Sequence, residues 1–271
     1  MGRWLGATRS GRYSRTLMGK MNMRWKRGAV LTALIVISEL TLAALWGRAA
    51  MAHDWSSASR ESAGIAPDPA TTEEAVVQVY AARSWGWRGS FGVHSWVAVK
   101  PTGAPAFDVY EVIGWRAYRG MSTLSISNRP ADGRWFGNVP ELIAETRGDG
   151  VDAVITRIDA VARAYPHATE YRVWPGPNSN TFTAFVARAI PELRVDLPPT
   201  AIGKDYLPNG NIFATSPSGT GFQFSVFGIF GVLVGVEEGL EVNLLGLTFG
   251  IDPVDPALKL PIVGRLGPGR G

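Results

Sequence analysis

The sequence predicts an α+β domain in which an antiparallel sheet packs against two to three helices. Short segments with strand composition occupy the first half of the body, and amphipathic segments with helical spacing follow them. Residues 221–252 are apolar, β-branched and interrupted by glycines, which predicts a C-terminal β-meander of two or three strands. We therefore assign residues 73–271 to a single domain, with its core at residues 76–193, behind an N-terminal membrane helix or signal.

The basic residues of the chain are concentrated at its N-terminus. The 271-residue chain has 27 Lys or Arg and 23 Asp or Glu, a formal net charge of +4. Residues 1–48 contain nine of the bases and one acid, Glu39, which leaves 18 bases, 22 acids and a net charge of −4 for residues 49–271. The body is mildly acidic, which argues against a nucleic-acid partner and identifies residues 1–28 as a basic cytoplasmic arm.

An apolar run follows this arm at residues 29–46. It has the shortest length that spans a bilayer, and Glu39 near its middle makes insertion marginal at a cost of about 3 kcal/mol. A basic segment ahead of an apolar run keeps the N-terminus in the cytoplasm, so we expect the body on the periplasmic side of the inner membrane. Ala50-Met51-Ala52 resembles a signal-peptidase site. The apolar run therefore has three interpretations: a cleaved signal, a retained anchor with the lipid bilayer as its partner, or a buried helix of the body.

The body begins after a segment with linker composition. Residues 53–72 are rich in Ala, Ser, Pro and Gly, which is typical of a linker. Alternating apolar and β-branched residues then predict strands at Val76–Tyr80, Phe91–Lys100 and Ala106–Trp115.

Three helices are predicted in the middle of the body. Asn138–Arg147 begins with a capping asparagine and stops before a glycine. Gly150–Tyr165 carries apolar residues at a spacing of 3.6. A short strand at Tyr171–Trp174 and a Pro-Gly-Pro turn then precede a third helix at Ser179–Ile190.

The C-terminal apolar segment has two interpretations. Glu237-Glu238-Gly239 is typical of a hairpin turn and Asp252-Pro253 of a strand end, which favours the β-meander. A second membrane segment at Gly221–Val236 is the alternative, although its length falls short of a bilayer span.

A candidate site lies at the start of the third helix. Asn178 and Ser179 are typical N-capping residues, and capping alone explains their presence. The functional alternative is that Ser179 is a nucleophile whose oxyanion is stabilised by free N–H groups and the helix dipole, with Asn178 or Asn180 as further donors.

A serine nucleophile needs a base, and His94 is the only one of the three histidines on a predicted strand. We predict His94 as the base and Glu111, on the neighbouring strand, as the group that orients it. Asp108 competes for that last role, and a buried structural histidine is the alternative for His94.

These residues resemble a known group of proteins. A histidine on a strand, a further strand, helices and then Asn-Cys-x-x-Phe at a helix start are the pattern of the circularly permuted papain-like proteins, including the lecithin–retinol acyltransferase type and the permuted cell-wall or lipid amidases. Residues 178–182, Asn-Ser-Asn-Thr-Phe, resemble that motif with serine at the cysteine position, and His94 resembles the strand histidine. The resemblance implies a papain-like permuted core and action on an amide or ester. The less ionisable serine implies weak hydrolase chemistry or binding alone.

The body also resembles a bacterial family of uncharacterised membrane-associated proteins with a domain of unknown function. The segments that carry this resemblance are Val-His-Ser-Trp, Glu-Val-Ile-Gly-Trp and Pro-Gly-Pro-Asn-Ser-Asn-Thr-Phe. It implies no activity.

The remaining composition excludes several classes of site. The chain has no cysteine, few histidines and no phosphate-binding glycine loop with a lysine, so we expect neither a metal nor a cofactor. Six tryptophans either pack in the core, which is commoner, or line a groove, with Trp96 and Trp174 as the candidate binding residues: Trp85, Trp87, Trp96, Trp115, Trp135 and Trp174. The expected function is an exported, membrane-tethered envelope protein, either a serine-variant papain-like hydrolase or acyltransferase or a non-catalytic ligand- or partner-binding scaffold.

Overall fold

The computed structural model describes residues 56–268 and, ahead of them, three isolated helical residues, Val30, Ser38 and Thr41. The chain divides into two units, residues 1–42 and residues 43–271. The predicted basic arm, and the apolar run apart from those three residues, lie outside the described part. Among the residues that are described, no helix is both long and apolar enough to cross a membrane.

The first half of the body contains a five-stranded antiparallel sheet with the strand order β4-β3-β2-β1-β5. Its strands are β1 (Val76–Arg83), β2 (Val93–Lys100), β3 (Asp108–Val112), β4 (Leu124–Asn128) and β5 (Glu141–Arg147). The central strands β1 and β2 are buried along almost their whole length. They are rich in Val and Ala, which is typical of strands that are covered on both faces.

Different layers cover the two faces of this sheet. The helices are α1 (Gly114–Ala117), α2 (Val151–Arg163) and α3 (Ser179–Ala189). The apolar sides of α2 and α3 pack on one face, where Val97, Ile158 and Phe182 belong to the main core. The other face has a smaller core around Tyr80 and Trp96, covered by the segment that contains Ala131.

Part of the predicted linker contacts this smaller core. Asp132 accepts hydrogen bonds from the backbone N–H groups of Ile65 and Ala66, at 2.6 and 3.1 Å, and from the Ser62 hydroxyl at 3.0 Å. These contacts fix residues 62–66 against the sheet.

The second half of the body is a seven-stranded antiparallel sheet with the order β12-β11-β10-β9-β8-β7-β6. Its strands are β6 (Phe213–Thr215), β7 (Gly221–Val226), β8 (Phe230–Gly235), β9 (Gly239–Leu244), β10 (Leu247–Asp252), β11 (Ala257–Leu260) and β12 (Gly264–Leu266). Every strand pairs with its neighbour in sequence, so the whole segment is one meander.

Buried ion pairs attach this meander to the first half of the body. Lys259 Nζ lies 2.8 Å from carboxylate oxygens of both Asp196 and Glu241, and Lys204 Nζ lies 2.6 Å from the second oxygen of Glu241. All four side chains are almost completely buried. Charges removed from water in this way persist because each has an opposite charge and further hydrogen bonds.

The structure confirms the α+β class, the antiparallel sheet and the meander, which has seven strands instead of two or three. The turn between β8 and β9 and the end of β10 at Asp252 lie where they were predicted. The alternative of a membrane segment at residues 221–236 is wrong, because these residues form β7 and β8.

Two predicted elements are wrong. Asn138–Arg147 is not a helix, because residues 141–147 form β5 and pair with β1. This pairing gives hydrogen-bond partners to the backbone groups at the free edge of β1, which outweighs the helical capping pattern.

Tyr171–Trp174 is not a strand: the Arg172 N–H instead donates to the Pro177 carbonyl and closes a turn. The predicted strand at Ala106–Trp115 is limited to β3, since its last residues form α1.

Candidate functional site

His94 lies in a buried polar cluster on the face of the five-stranded sheet that the helices do not cover. Its Nε2 lies 2.8 Å from Glu111 Oε2, and both side chains are buried. Arg129 donates to the same carboxylate, with its Nε 3.2 Å from Oε1. The His94 ring stacks on Trp135 at a centroid separation of 3.6 Å. The structure therefore brings together two of the three predicted catalytic side chains.

The register between β2 and β3 explains why His94 and Glu111 lie close together. In β2 and β3, Ala98 lies opposite Val109, so the even-numbered residues of β2 share a face with the odd-numbered residues of β3. His94 and Glu111 both belong to that face. Trp96 belongs to it as well: it is fully buried, its Nε1 donates to the Ala131 carbonyl, and Arg129 lies over its ring at 4.8 Å.

The electrostatics of this cluster favour an ionised Glu111 and a neutral His94. Burial lowers the pKa of His94, although the hydrogen bond to Glu111 acts in the opposite direction. For Glu111, burial raises the pKa, but the hydrogen bond from His94 and the charge of Arg129 together lower it below its usual value. A neutral His94 that donates its Nε2 proton to a carboxylate matches the role of an oriented base.

Ser179 is the first residue of α3, and its environment is different. The preceding Asn178 caps the helix: its Oδ1 accepts the N–H groups of Asn180 and Thr181, while the Thr181 hydroxyl accepts the Asn178 N–H in return. The Asn178 amide also donates to the carbonyls of Val173 and Ile202. All hydrogen-bonding groups of the Asn178 side chain are engaged within the protein.

Asn180 is engaged in the same way. Its amide donates to the carbonyls of Val93 and Ile202, and its Oδ1 accepts from the Ser95 hydroxyl at 2.8 Å. Ser95 also lies 2.9 Å from the Thr183 hydroxyl of α3. Ser95, and not His94, is thus the β2 residue that faces the start of α3.

The Ser179 side chain itself interacts with Tyr171. Burial raises the pKa of the Tyr171 phenol, and the Ser179 hydroxyl, the charge of Arg88 and the Ser179 N–H act against this rise. The Tyr171 ring lies against Gly114, where an added Cβ would come within 2.6 Å of the ring. A phenol that is kept protonated cannot act as the base for Ser179.

The predicted triad is therefore divided between the two faces of the sheet. His94 and Glu111 lie on one face, and α3 packs on the other through Ser95. Because successive side chains of a strand point to opposite faces, His94 and Ser179 are separated by the sheet itself. His94 is therefore not placed to act as the base for Ser179.

Sequence reasoning did not identify an aromatic–basic surface close to Tyr171, formed by Trp87, Arg88, Trp115, Tyr118 and Arg119. Trp87 and Trp115 are 56% and 48% exposed and Tyr118 is 87% exposed. Arg88 lies over the Trp87 ring and Arg119 over the Trp115 ring. Gly114, which precedes Trp115, lies against the Tyr171 ring, and the charge of Arg88 counteracts the rise in the pKa of Tyr171, so this surface lies close to Tyr171.

Most of the six tryptophans do not pack fully in the core, contrary to the commoner explanation given above. Trp96 is buried, but Trp85, Trp87, Trp115 and Trp174 are at least one-third exposed. Trp174, a predicted binding residue, donates its Nε1 proton to the Leu245 carbonyl in the turn between β9 and β10. The aromatic–basic surface could have been predicted from the sequence, because its tryptophans occur among glycines and arginines in segments that contain no Asp or Glu.

No group of three or more metal-ligating side chains occurs within the part of the chain that the structure describes.

Comparison with known proteins places this site in an uncharacterised domain. Residues 74–206 match the model of a family described as "Protein of unknown function (DUF3750)". This segment contains the five-stranded sheet, the three helices and both halves of the predicted triad. No curated protein and no solved structure matches the chain. The expected domain of unknown function is thereby confirmed for this part of the chain.

Proposed function

We propose that this chain is a non-catalytic, membrane-tethered binding scaffold of the cell envelope. The placement of His94 and Ser179 on opposite faces of one sheet carries the proposal, since a general base must come within hydrogen-bonding distance of its nucleophile. Asn178 and Asn180, the predicted oxyanion donors, have their amides committed to backbone carbonyls. The export and the membrane tether are supported by the basic arm and the apolar run that follows it.

A serine hydrolase or acyltransferase with a permuted papain-like core is the competing function. It is supported by the position of Ser179 at a helix start, where the helix dipole favours an anion. It requires a base that reaches Ser179, and the titratable side chain that hydrogen-bonds with Ser179 is Tyr171, whose pKa is raised by burial.

A fluorophosphonate probe distinguishes these functions. We expect the wild-type chain and Ser179→Ala to show the same background labelling, in a sample where an added serine hydrolase is labelled fully. The scaffold is contradicted by labelling that depends on Ser179 and is lost in His94→Gln, a variant that keeps a hydrogen-bond donor near Glu111.

The aromatic–basic surface is the binding surface that we assign to this scaffold, with an anionic bilayer as its occupant. Exposed Trp and Tyr rings beside guanidinium groups match the water–lipid interface, where each finds both apolar and charged partners. Segments 84–92 and 113–123, which supply the surface, contain no Asp or Glu. Within residues 56–268, neither Arg88 nor Arg119 forms an ion pair with a carboxylate, so both charges are available to lipid phosphates.

The cysteine-free chain allows this contact to be measured at one position. Tyr118→Cys, labelled with an environment-sensitive fluorophore in the full-length chain, should show blue-shifted emission in vesicles that contain phosphatidylglycerol. The shift should be smaller in purely zwitterionic vesicles. The matched control is Val254→Cys, at a turn of the meander where Val254 is also widely exposed, at 68%. Equal emission from both positions in anionic vesicles would remove the bilayer as occupant.

A further inference from the structure

The two faces of the seven-stranded sheet have opposite character. The face toward the rest of the body carries polar groups, among them Gln223, Glu241, Asn243 and Lys259, all buried. Their partners lie outside the sheet: Asn243 and Gln223 both donate to Asp205, and Lys259 binds Asp196. The sheet is attached to the body through this polar face.

The outer face is apolar across its seven strands except for Thr215 at the β6 edge, which lies opposite Phe222. The strand register aligns Phe224, Val232, Val242 and Phe249 in one row directly across four strands. A second row aligns Phe222, Val234, Leu240, Ile251 and Leu258.

A third row, at the end nearer Trp174, aligns Val226, Phe230, Leu244 and Leu247. Several members of these rows are widely exposed, for example Phe222 at 79% and Val234 at 55%. The three rows contain no charged or hydrogen-bonding side chain.

Such a face is one layer of a two-layer structure. A sheet with an apolar face is stable in water when that face is covered by a second layer, commonly another sheet about 10 Å away. Apolar patches on monomers rarely exceed a few hundred Å². With strands about 4.8 Å apart and rows about 7 Å apart, this face measures roughly 30 Å by 15–20 Å.

The charge around the face argues against a lipid surface as the second layer. Residues 207–258 contain no Lys or Arg, and the two bases that follow in the meander, Lys259 and Arg265, are both paired with carboxylates. A protein surface that lies on anionic lipid needs basic residues around its apolar part. Unlike the aromatic–basic surface, the described part of the meander offers no unpaired base to a lipid phosphate.

We propose that the occupant is a second copy of this chain, packed sheet against sheet about a twofold axis. Identical rows of Val, Leu and Phe can interdigitate across such an interface, and no buried charge opposes their approach. Two copies would bury about 1,000 Å² in total, which is about the minimum area of a biological interface. Strand β9 is the central strand of the seven, and Val242 lies in its middle row, so the two copies of residue 242 lie closest to the axis.

Site-specific photocrosslinking of the full-length chain tests this interface. Because the chain has no cysteine, Val242→Cys or Leu244→Cys can be modified with a benzophenone maleimide at one position and illuminated in membranes of the expressing cells. Leu244 is 48% exposed, so its replacement keeps the test available if the half-buried Val242 position disturbs folding. Val254→Cys, in the exposed turn after β10, is the matched control.

We expect a product of twice the 29.2 kDa chain mass from positions 242 and 244 but not from 254. Mass spectrometry should identify both crosslinked peptides as residues of this chain. Adducts to lipid or to a different protein at 242 and 244, or the absence of any adduct at both, would overturn the proposal.

Discussion

At the scale of single residues, Asn178 is the side chain on which the start of α3 depends. It accepts two N–H groups of the first helical turn, and its amide donates to two backbone carbonyls from separate segments. We expect Asn178→Ala to lower the free energy of unfolding by about 2–4 kcal/mol, because it loses a cap and leaves buried carbonyls without donors. Urea unfolding of a chain that starts at residue 53 measures this.

Asn178→Asp and Ser179→Ala are the informative controls. Aspartate is as good a cap as asparagine, but it cannot donate to the Val173 and Ile202 carbonyls, so it should destabilise as alanine does. Ser179→Ala loses only its contact with Tyr171 and should cost about 1 kcal/mol or less. A fully stable Asn178→Asp variant would show that only the cap matters.

His94 makes the stability of the body depend on pH in the acid range. Its pKa is lowered in the folded protein by burial, so below its unfolded value of about 6.5 the unfolded chain binds a proton that the folded chain does not. The free energy of unfolding should therefore fall as the pH decreases through 6.5. Glu111, whose pKa is also lowered, adds a loss that begins at more acidic pH.

Urea unfolding at pH 7.5 and at pH 5.5 measures this loss. His94→Gln should reduce the difference between the two pH values, because glutamine can still donate to Glu111 but does not titrate. A pH dependence that is identical in the variant and the wild type would assign it to other groups.

The residue types of the candidate site could be predicted from the sequence, but their arrangement could not. The caps at Asn178 and the neighbouring strands of His94 and Glu111 follow from local patterns. Alternation along β2 defines two faces, one with His94 and one with Ser95, but it does not determine which face α3 covers. That choice depends on the packing of the whole sheet, and it separates Ser179 from His94.

At the scale of elements, the strands that were misassigned or missed are those that depend on pairing between residues far apart in the sequence. The segment 141–147 has a helical capping pattern, yet it completes the open edge of β1 as β5. The meander was predicted from its composition, but its outer strands β6, β11 and β12 have only three or four residues each. Such short strands exist because a neighbouring strand is already in place to pair with them.

The buried ion pairs that attach the meander to the body can be tested by removing one of their charges. Lys259→Met would remove the cation that lies 2.8 Å from Asp196 and would leave Glu241 with one close cation in place of two. We expect a loss of about 3–5 kcal/mol in the free energy of unfolding, since an uncompensated buried charge is costly. Limited proteolysis should then cut the chain between residues 206 and 221 before other sites.

Arg194→Ala is the control for this variant. Arg194 pairs with Glu237 at 2.7 Å, but its side chain is 65% exposed. Loss of an exposed ion pair should cost less than about 1 kcal/mol. If both variants were equally stable, the buried network would not be what attaches the meander.

At the scale of the whole molecule, the body has two surfaces that are suited to different partners. The aromatic–basic surface lies close to Tyr171, and Trp174 joins this region to the turn between β9 and β10. The apolar outer face begins at that same end of the meander. A body that rests on a bilayer through this end therefore leaves the sheet face free for a second copy.

The orientation of the chain is the prediction on which this arrangement depends. Eight of the nine bases in residues 1–48 precede the apolar run at 29–46, and a positive segment ahead of an apolar run stays in the cytoplasm. The proposed export predicts that alkaline phosphatase fused after Gly271 is active and that β-galactosidase at the same position is inactive. Replacing the eight bases with Gln should weaken this preference.

If the chain is anchored, its extraction from the membrane needs detergent; if the signal is cleaved, the mature chain begins near His53. Inactive alkaline phosphatase with active β-galactosidase would place the body in the cytoplasm and contradict both the export and the envelope scaffold.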